Sequence, residues 1–416
     1  MAWGLNMDAA QAQLWREDLH FLAERIRSRH TNPYHHITRE QLDEAFAAAH
    51  ERIPQFEPHQ AAVEMARLLA LVGDGHSSFW ITENRSLNFR RYPLRFYHFS
   101  DGVFVTEAEA NQQVYLGWRL AQVGNLPVDA ALERTHAVIS RDNAQGLKLA
   151  APFALSIPEV LHTLGMIERL DAPAFMLEDG EGKRITLELP LLKPNAEAEW
   201  VKWHENETPL ALWQQHPEKV TWFEYLEAQR LVYVQHRAVR DLDGESLADF
   251  FTRLFEFIET HEVERLVIDL RSNGGGNNML NQALVHGLIC CRKINQRGKL
   301  FTLIGRRTFS AAMNLAVDLE RQTKTLFVGE PSGASPNFYG EITENRLPHS
   351  GITFSVSSLY WQSSLPYDQR AWIEPHLPAE MTSSDTRNNV DPALNAVIGY
   401  VHEEGRFEEE PVKYPE

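Results

Sequence analysis

A chain of 416 residues has room for two or three packed domains. Its 43% hydrophobic and 23% charged content match an ordinary globular protein. The formal net charge of −17 argues against DNA or anionic membranes as main partners, because phosphate binding needs concentrated Lys and Arg. Two adjacent cysteines, Cys290 and Cys291, are too few for a metal site or disulfide scaffold, and the apolar run before them suggests buried thiols. No apolar stretch is long enough to span a bilayer. The opening MAWGLNMDAAQAQLWRED lacks the basic-then-apolar order of a secretory signal, so the expectation is a cytoplasmic protein.

In chain order, residues 8–29 predict an amphipathic helix capped by Asp8, with Leu14, Phe21, Leu22 and Ile26 as its apolar stripe. The break His30-Thr31-Asn32-Pro33 ends it. Helices follow at about 38–52 and 59–72. The trio His30, His35, His36 has no further ligand at metal spacing and reads as loop or surface. This gives an N-terminal helical section over 1–85. Residues 86–195 change to short strand-like runs. Within them Leu120 and Val123 point inward, Gly124-Asn125 turns, and Val128 starts a helix, as in a PDZ-like or degenerate β-rich domain. A polar stretch supplies a linker at 196–220.

From 221 to 402 strands and helices alternate. Strands are expected at 230–235, 265–270, 300–304, 326–328 and 353–360, with helices at 246–260, from about 277 and from 310. The run Arg265–Leu270 is apolar throughout, as a strand buried on both faces would be. The fold class is therefore α/β (an α+β multidomain chain): an α/β sandwich on a parallel or mixed sheet. Residues 403–416 form an acidic tail.

Three segments carry chemistry. Asp269 to Gly276 ends a buried strand in three glycines, which let backbone amides approach a ligand beside a helix start. A phosphate loop would need Lys and then Ser or Thr next. Asn277, Asn278 and Met279 stand there instead, so nucleotide binding is set aside. Ser310 lies between a strand and a helix and is followed by Ala311 and Ala312. It is either an N-cap or an exposed nucleophile next to an unbonded amide. His76 sits in the glycine-rich turn Gly73-Asp74-Gly75-His76-Ser77, as a turn residue or a base.

Together these segments resemble the serine peptidase family of the C-terminal-processing (tail-specific) proteases and the tricorn core protease. The family's marks stand in order at Gly73–Ser77, Asp269–Gly276, Thr308–Ala312 and Val328–Glu330. Its closing Pro-Asp segment is matched by Pro375-His376, with His in place of Asp. The resemblance implies a ClpP/crotonase-like catalytic core and peptide or unfolded protein as substrate. It implies no metal and no organic cofactor, and it leaves a homo-oligomer open.

Processing proteases activate their serine with a lysine about two dozen residues later. Here that turn reads Pro331 to Pro336 without lysine, and none occurs between Lys324 and Lys413. Lys324 falls at the far end of the helix after Ser310, about 20 Å away, so a Ser-Lys dyad fails. The resemblance then implies the other branch, with Ser310 as nucleophile and His76 as general base. Asp368 is the favoured orienting carboxylate and Glu374 its rival. The oxyanion hole falls to Gly275 or Gly276 together with Ala311. Ser77 is a weak substitute for the serine that tricorn-type sites carry just before the histidine. Asn337 and Tyr339 are candidate substrate contacts, and Arg271 with Asp269 is a structural pair. Two rivals share the scaffold: a non-catalytic protein binding apolar ligands or peptides, and a hydrolase of small esters or amides.

Overall fold

Capping decides where the first helices begin. Asp8 accepts the Gln11 amide at 2.7 Å and Thr38 accepts the Gln41 amide at 3.2 Å, each closing a reciprocal capping box. They open the helices Ala9–Arg29 and Arg39–Arg52, and a third runs over Pro58–Ala70. The buried stripe of the first helix is Trp15, Leu19, Leu22 and Ile26, spaced three and four apart. Leu14, expected on that stripe, is exposed because one residue of slip rotates it about 100° off the face.

The computed structural model describes residues 7–80, 82, 87, 89–192, 198–203 and 210–403. They divide into two units, each discontinuous in sequence. The first is drawn from 1–208, 337–362 and 382–388, and the second from 209–336, 363–381 and 389–416. The sections read from sequence follow different boundaries. Residues 337–362, placed there in the 221–402 section, belong with the first unit.

In the first unit an antiparallel sheet runs in the order Leu94–Phe99, Gly102–Glu109, Arg119–Val123, Phe175–Glu178, Arg184–Leu187. Leu120 and Val123 are buried, and the helix after their turn starts at Val128, as the sequence implied. An antiparallel ribbon pairs Asn337–Arg346 with Thr353–Gln362. Phe354 is buried there against Phe21 and Phe79.

In the second unit six strands lie in the order Leu377–Pro378, Leu326–Gly329, Leu300–Ile304, Arg265–Asp269, Leu231–His236, Thr221–Leu226. All neighbouring pairs are parallel except the last. Alternate residues feed two cores. Val232, Val234, Leu266 and Ile268 pack with the helix Leu247–Thr260, while Tyr233, Val267, Phe301 and Val328 pack with the helix Pro392–Ile398. A sheet covered on both faces is why these strands read as unbroken apolar runs. The α/β fold class expected from the pattern is the one observed. The thiols divide, with Cys291 buried and Cys290 exposed at the end of the helix Gln282–Cys290. That corrects the expectation of two core thiols: Cys290 ends the helix on an exposed position, while Cys291, the first residue past it, turns into the core.

At the C-terminal edge of this sheet Arg271 forks onto two buried carboxylates. It reaches Asp269 through Nη2 at 2.6 Å and Asp391 through Nη1 and Nη2 at 2.9 and 2.7 Å. The Tyr233 hydroxyl donates to Asp269 Oδ2 at 2.7 Å. Removing the guanidinium would leave two buried charges uncompensated. Arg271→Met should lower the unfolding free energy by about 3–5 kcal/mol in chemical denaturation. A loss under about 1 kcal/mol would contradict this structural role.

Candidate active site

Ser310 precedes the helix Ala311–Gln322 with φ 53° and ψ −128°, a region L-residues seldom occupy. Its side chain makes no cap bond, so the N-cap reading of this serine fails. Holding a residue in such a conformation costs about 1–3 kcal/mol, which the flanking bonds must offset. Thr308 supplies most of them. Its hydroxyl donates to the Leu270 carbonyl at 2.9 Å and accepts the Gly305 amide at 3.1 Å, while its carbonyl accepts the Gly333 amide at 3.1 Å. The Phe309 amide donates to the Asn273 carbonyl at 3.2 Å, and Asn281 Nδ2 donates to the Ala311 carbonyl at 2.8 Å.

The glycine loop meets the serine directly. Gly275 has φ 108°, and a methyl group there would lie 2.6 Å from Ser310 Cβ and 2.9 Å from the Ala311 amide nitrogen. Its own amide is already engaged, donating to Asn273 Oδ1 at 2.9 Å. Ala311, first residue of its helix, has an amide with no intrahelical acceptor, and the helix dipole adds positive potential. The Ser310 side chain, the Gly275 backbone and a helix N-terminus thus meet within one unit, an arrangement suited to stabilising negative charge on an oxygen bonded to Ser310.

The other motif residues also find physical roles. Glu330 pairs with buried Arg306 through two bonds of 2.7 Å. The lysine-free loop is tied down by Ser332, whose hydroxyl accepts the Ile373 amide at 2.9 Å, and by Ser335, which donates to the Ala371 carbonyl at 3.1 Å. Lys324 is exposed. His376 accepts the Phe327 amide on Nδ1 at 3.0 Å, so it fastens the closing segment to a strand. Asp368 accepts from Ser364 at 2.6 Å and from Arg370 Nη2 at 2.8 Å. Burial opposes its charge, but Arg370 and Ser364 outweigh that and hold its pKa at about 2. Glu374 is exposed and accepts from Trp372 Nε1 at 2.5 Å.

In the first unit the turn bearing His76 follows the helix Pro58–Ala70. Asp74 organises it: Oδ1 accepts the amides of His76 and Ser77 at 3.0 and 2.7 Å and the Ser357 hydroxyl at 2.6 Å. Its other oxygen bonds His30 Nε2 at 3.0 Å. Because His30 Nδ1 accepts the Asn32 amide, the Nε2 proton is the one donated to Asp74. His30 is therefore a buried member of this network: it lies in the loop after the first helix, as the loop-or-surface reading allowed, but not at the surface. Ser77 is buried, and its hydroxyl accepts the Ser357 amide at 3.1 Å. Ser355 donates to the His76 carbonyl at 2.7 Å, so the ribbon grips the turn on its second side.

The His76 ring stacks on Phe338 at 5.4 Å with planes 6° apart. Burial dominates its titration and lowers its pKa to about 4, although the Asp74 charge and the Tyr339 backbone carbonyl both favour the charged ring. At neutral pH the ring is thus unprotonated. Tyr339 itself packs against His30, His35 and Tyr360. Asn337 is buried at the start of the ribbon. Among the described residues no group of three or more His, Cys, Asp or Glu could hold a metal, and no helix is long and apolar enough to cross a membrane.

No known family matches this sequence, and no curated protein does. Solved structures do match. Mature CPAF complexed with lactacystin superposes with a TM-score of 0.63 at 12% identity, over 94% of this chain and 97% of that one. A serine-to-alanine mutant of CPAF gives 0.64 at 12% identity, over 95% and 99%. The photosystem II D1 C-terminal processing protease aligns over 94% and 97% at 14% identity with a TM-score of 0.42. The fold of this chain is similar to that of CPAF.

Two outcomes follow. Gly275→Ala should destabilise the fold by about 1–3 kcal/mol in chemical denaturation, since it adds strain at φ 108° and a clash with Ser310; an unchanged midpoint would contradict the close approach. The His76 ring should stay neutral down to about pH 4 when followed by NMR. Protonation in the ordinary imidazole range near 6.5 would contradict its burial.

Proposed function

We propose that this chain is a serine peptidase that hydrolyses peptide bonds through an acyl-enzyme. The observation that carries the reading is Ser310: a strained serine that caps nothing, at a helix start, in contact with a glycine loop. In the mechanism its Oγ attacks the substrate carbonyl while His76 takes the hydroxyl proton. The amides of Gly276 and Ala311 bind the oxyanion, and His76 returns the proton to the leaving amine. Water, activated by the same imidazole, then deacylates the serine. A ring unprotonated at neutral pH is in the state a base requires.

Asp368 is the proposed orienting carboxylate and Glu374 the alternative. The Tyr339 carbonyl and Asp74 already act on the ring within its own unit, so the orienting role is shared. Peptides or unfolded chains are the proposed substrates, and the antiparallel sheet of the first unit is proposed to be PDZ-like. The CPAF likeness supports the reading through its fold, and through the lactacystin complex and the serine-to-alanine mutant among the matching structures.

A fluorophosphonate probe and a peptide-library digest test this together. Labelling at Ser310 should vanish in Ser310→Ala and His76→Ala, and kcat for peptide cleavage should fall at least about 1,000-fold in each. Lysine substitutions should leave both unchanged. No labelling of the wild type would favour a non-catalytic binding protein, and labelling with ester but no peptide cleavage would favour a small-ester hydrolase. Asp368→Asn should lower kcat more than Glu374→Gln; the reverse order would transfer the role to Glu374.

A further inference from the structure

The His76 turn is clasped by a second carboxyl that lies far from it in sequence. Asp142 stands just before the helix Ala144–Leu155, and its Oδ1 accepts the amide of Gly75, the residue preceding His76, at 2.7 Å. The residue as a whole is half-buried. Its Oδ2, however, is shut off from solvent and has no hydrogen-bond partner among the described residues. A carboxylate with one bare oxygen, next to the charged Asp74, is costly to ionise.

We propose that Asp142 is a positioning residue for His76, acting through the Gly75 amide and through a charge that its own protonation switches on and off. This deepens the reading of His76 as the base and rests on it. Asp74 faces Asp142 from the turn, and its charge opposes ionisation. His30 bonds Asp74 through Nε2 at 3.0 Å, and its Nδ1 accepts the Asn32 amide. Arg141, the neighbour in sequence, turns its guanidinium to the carbonyls of Ala70 and Ile139 at 3.5 and 3.3 Å.

Burial, first, and then Asp74 raise the Asp142 pKa to about 7, against the Gly75 amide, which favours the charged form. The carboxyl therefore changes state near neutral pH, while the imidazole, at about 4, does not. Ionised Asp142 grips the Gly75 amide more strongly and places a second negative charge beside the turn. That charge favours an imidazole that is gaining a proton, so the base works better above this transition than below it.

The experiment uses the full chain and Asp142→Asn, which keeps an acceptor for the Gly75 amide but cannot ionise. With 15N-histidine labelling, the His76 ring resonances should shift through a transition near pH 7 in the wild type and not in the variant. In parallel, kcat/KM for peptide cleavage should rise through that transition in the wild type by about 3-fold or more, and stay level there in Asp142→Asn. Identical His76 titration curves in the two proteins would overturn the proposal. A peptidase reading that failed for lack of Ser310 labelling would leave the resonance comparison intact, so the two failures are distinguishable.

Discussion

A serine held at φ 53° relaxes unless the chain on both sides is fixed, and the fixing bonds here come from three strand ends at once. Thr308 bonds to the carbonyl that follows one strand, to the amide that follows a second, and to the loop after a third. Phe309 and Ala311 are held by Asn273 and Asn281. Because these strands are parallel neighbours in one sheet, their C-terminal ends sit side by side, where open α/β sheets place their ligand sites. The strain in Ser310 is thus supported by the same sheet that makes the domain stable.

The histidine is handled differently. No strand carries it; a buried carboxylate does. Asp74 satisfies two successive amides of the turn and a hydroxyl of the ribbon, and so converts a glycine-rich loop into a fixed platform. The cost of burying that charge is offset by His30, Ser357 and Ser77, which together keep its pKa below the ordinary value. Phe338 then covers one face of the ring. Desolvation leaves the imidazole neutral over a wider pH range than an exposed histidine would be, at the expense of basicity, and a neighbouring negative charge can restore part of that basicity.

Much of this was legible in the sequence where the signal was local. The cap at Asp8 marked a helix start because a short polar side chain reaches the first free amides, and the helices placed from about 38 and 246 prove to be capped in the same way by Thr38 and Ser246. Apolar runs mark strands buried on both faces. The glycines stood out because few other residues suit a positive φ or a close approach, and Ser310 because it lies between a strand and a helix ahead of Ala311 and Ala312. What was hidden depends on contacts across long stretches of chain. Asp142 is one aspartate in an unremarkable loop until the fold brings it to Gly75. Asp391 shows its purpose only beside Arg271, and His30 only beside Asp74. The ribbon strand Asn337–Arg346 was missed because its partner is the next strand and one face is open, so it carries neither a continuous nor a strictly alternating apolar run. That the Gly275 amide is spent on Asn273 Oδ1 was likewise invisible without coordinates.

The central claim is that one hydroxyl and one imidazole transfer a proton while two amides hold the oxyanion. A crystal structure of the protein reacted with a peptidyl boronate tests it most directly. The account predicts boron bonded to Ser310 Oγ, one boronate oxygen within hydrogen-bond distance of the Gly276 and Ala311 amides, and a ring nitrogen of His76 within the same reach of the adduct. Boron on another residue, or an adduct at Ser310 with His76 out of reach of it, would contradict the account.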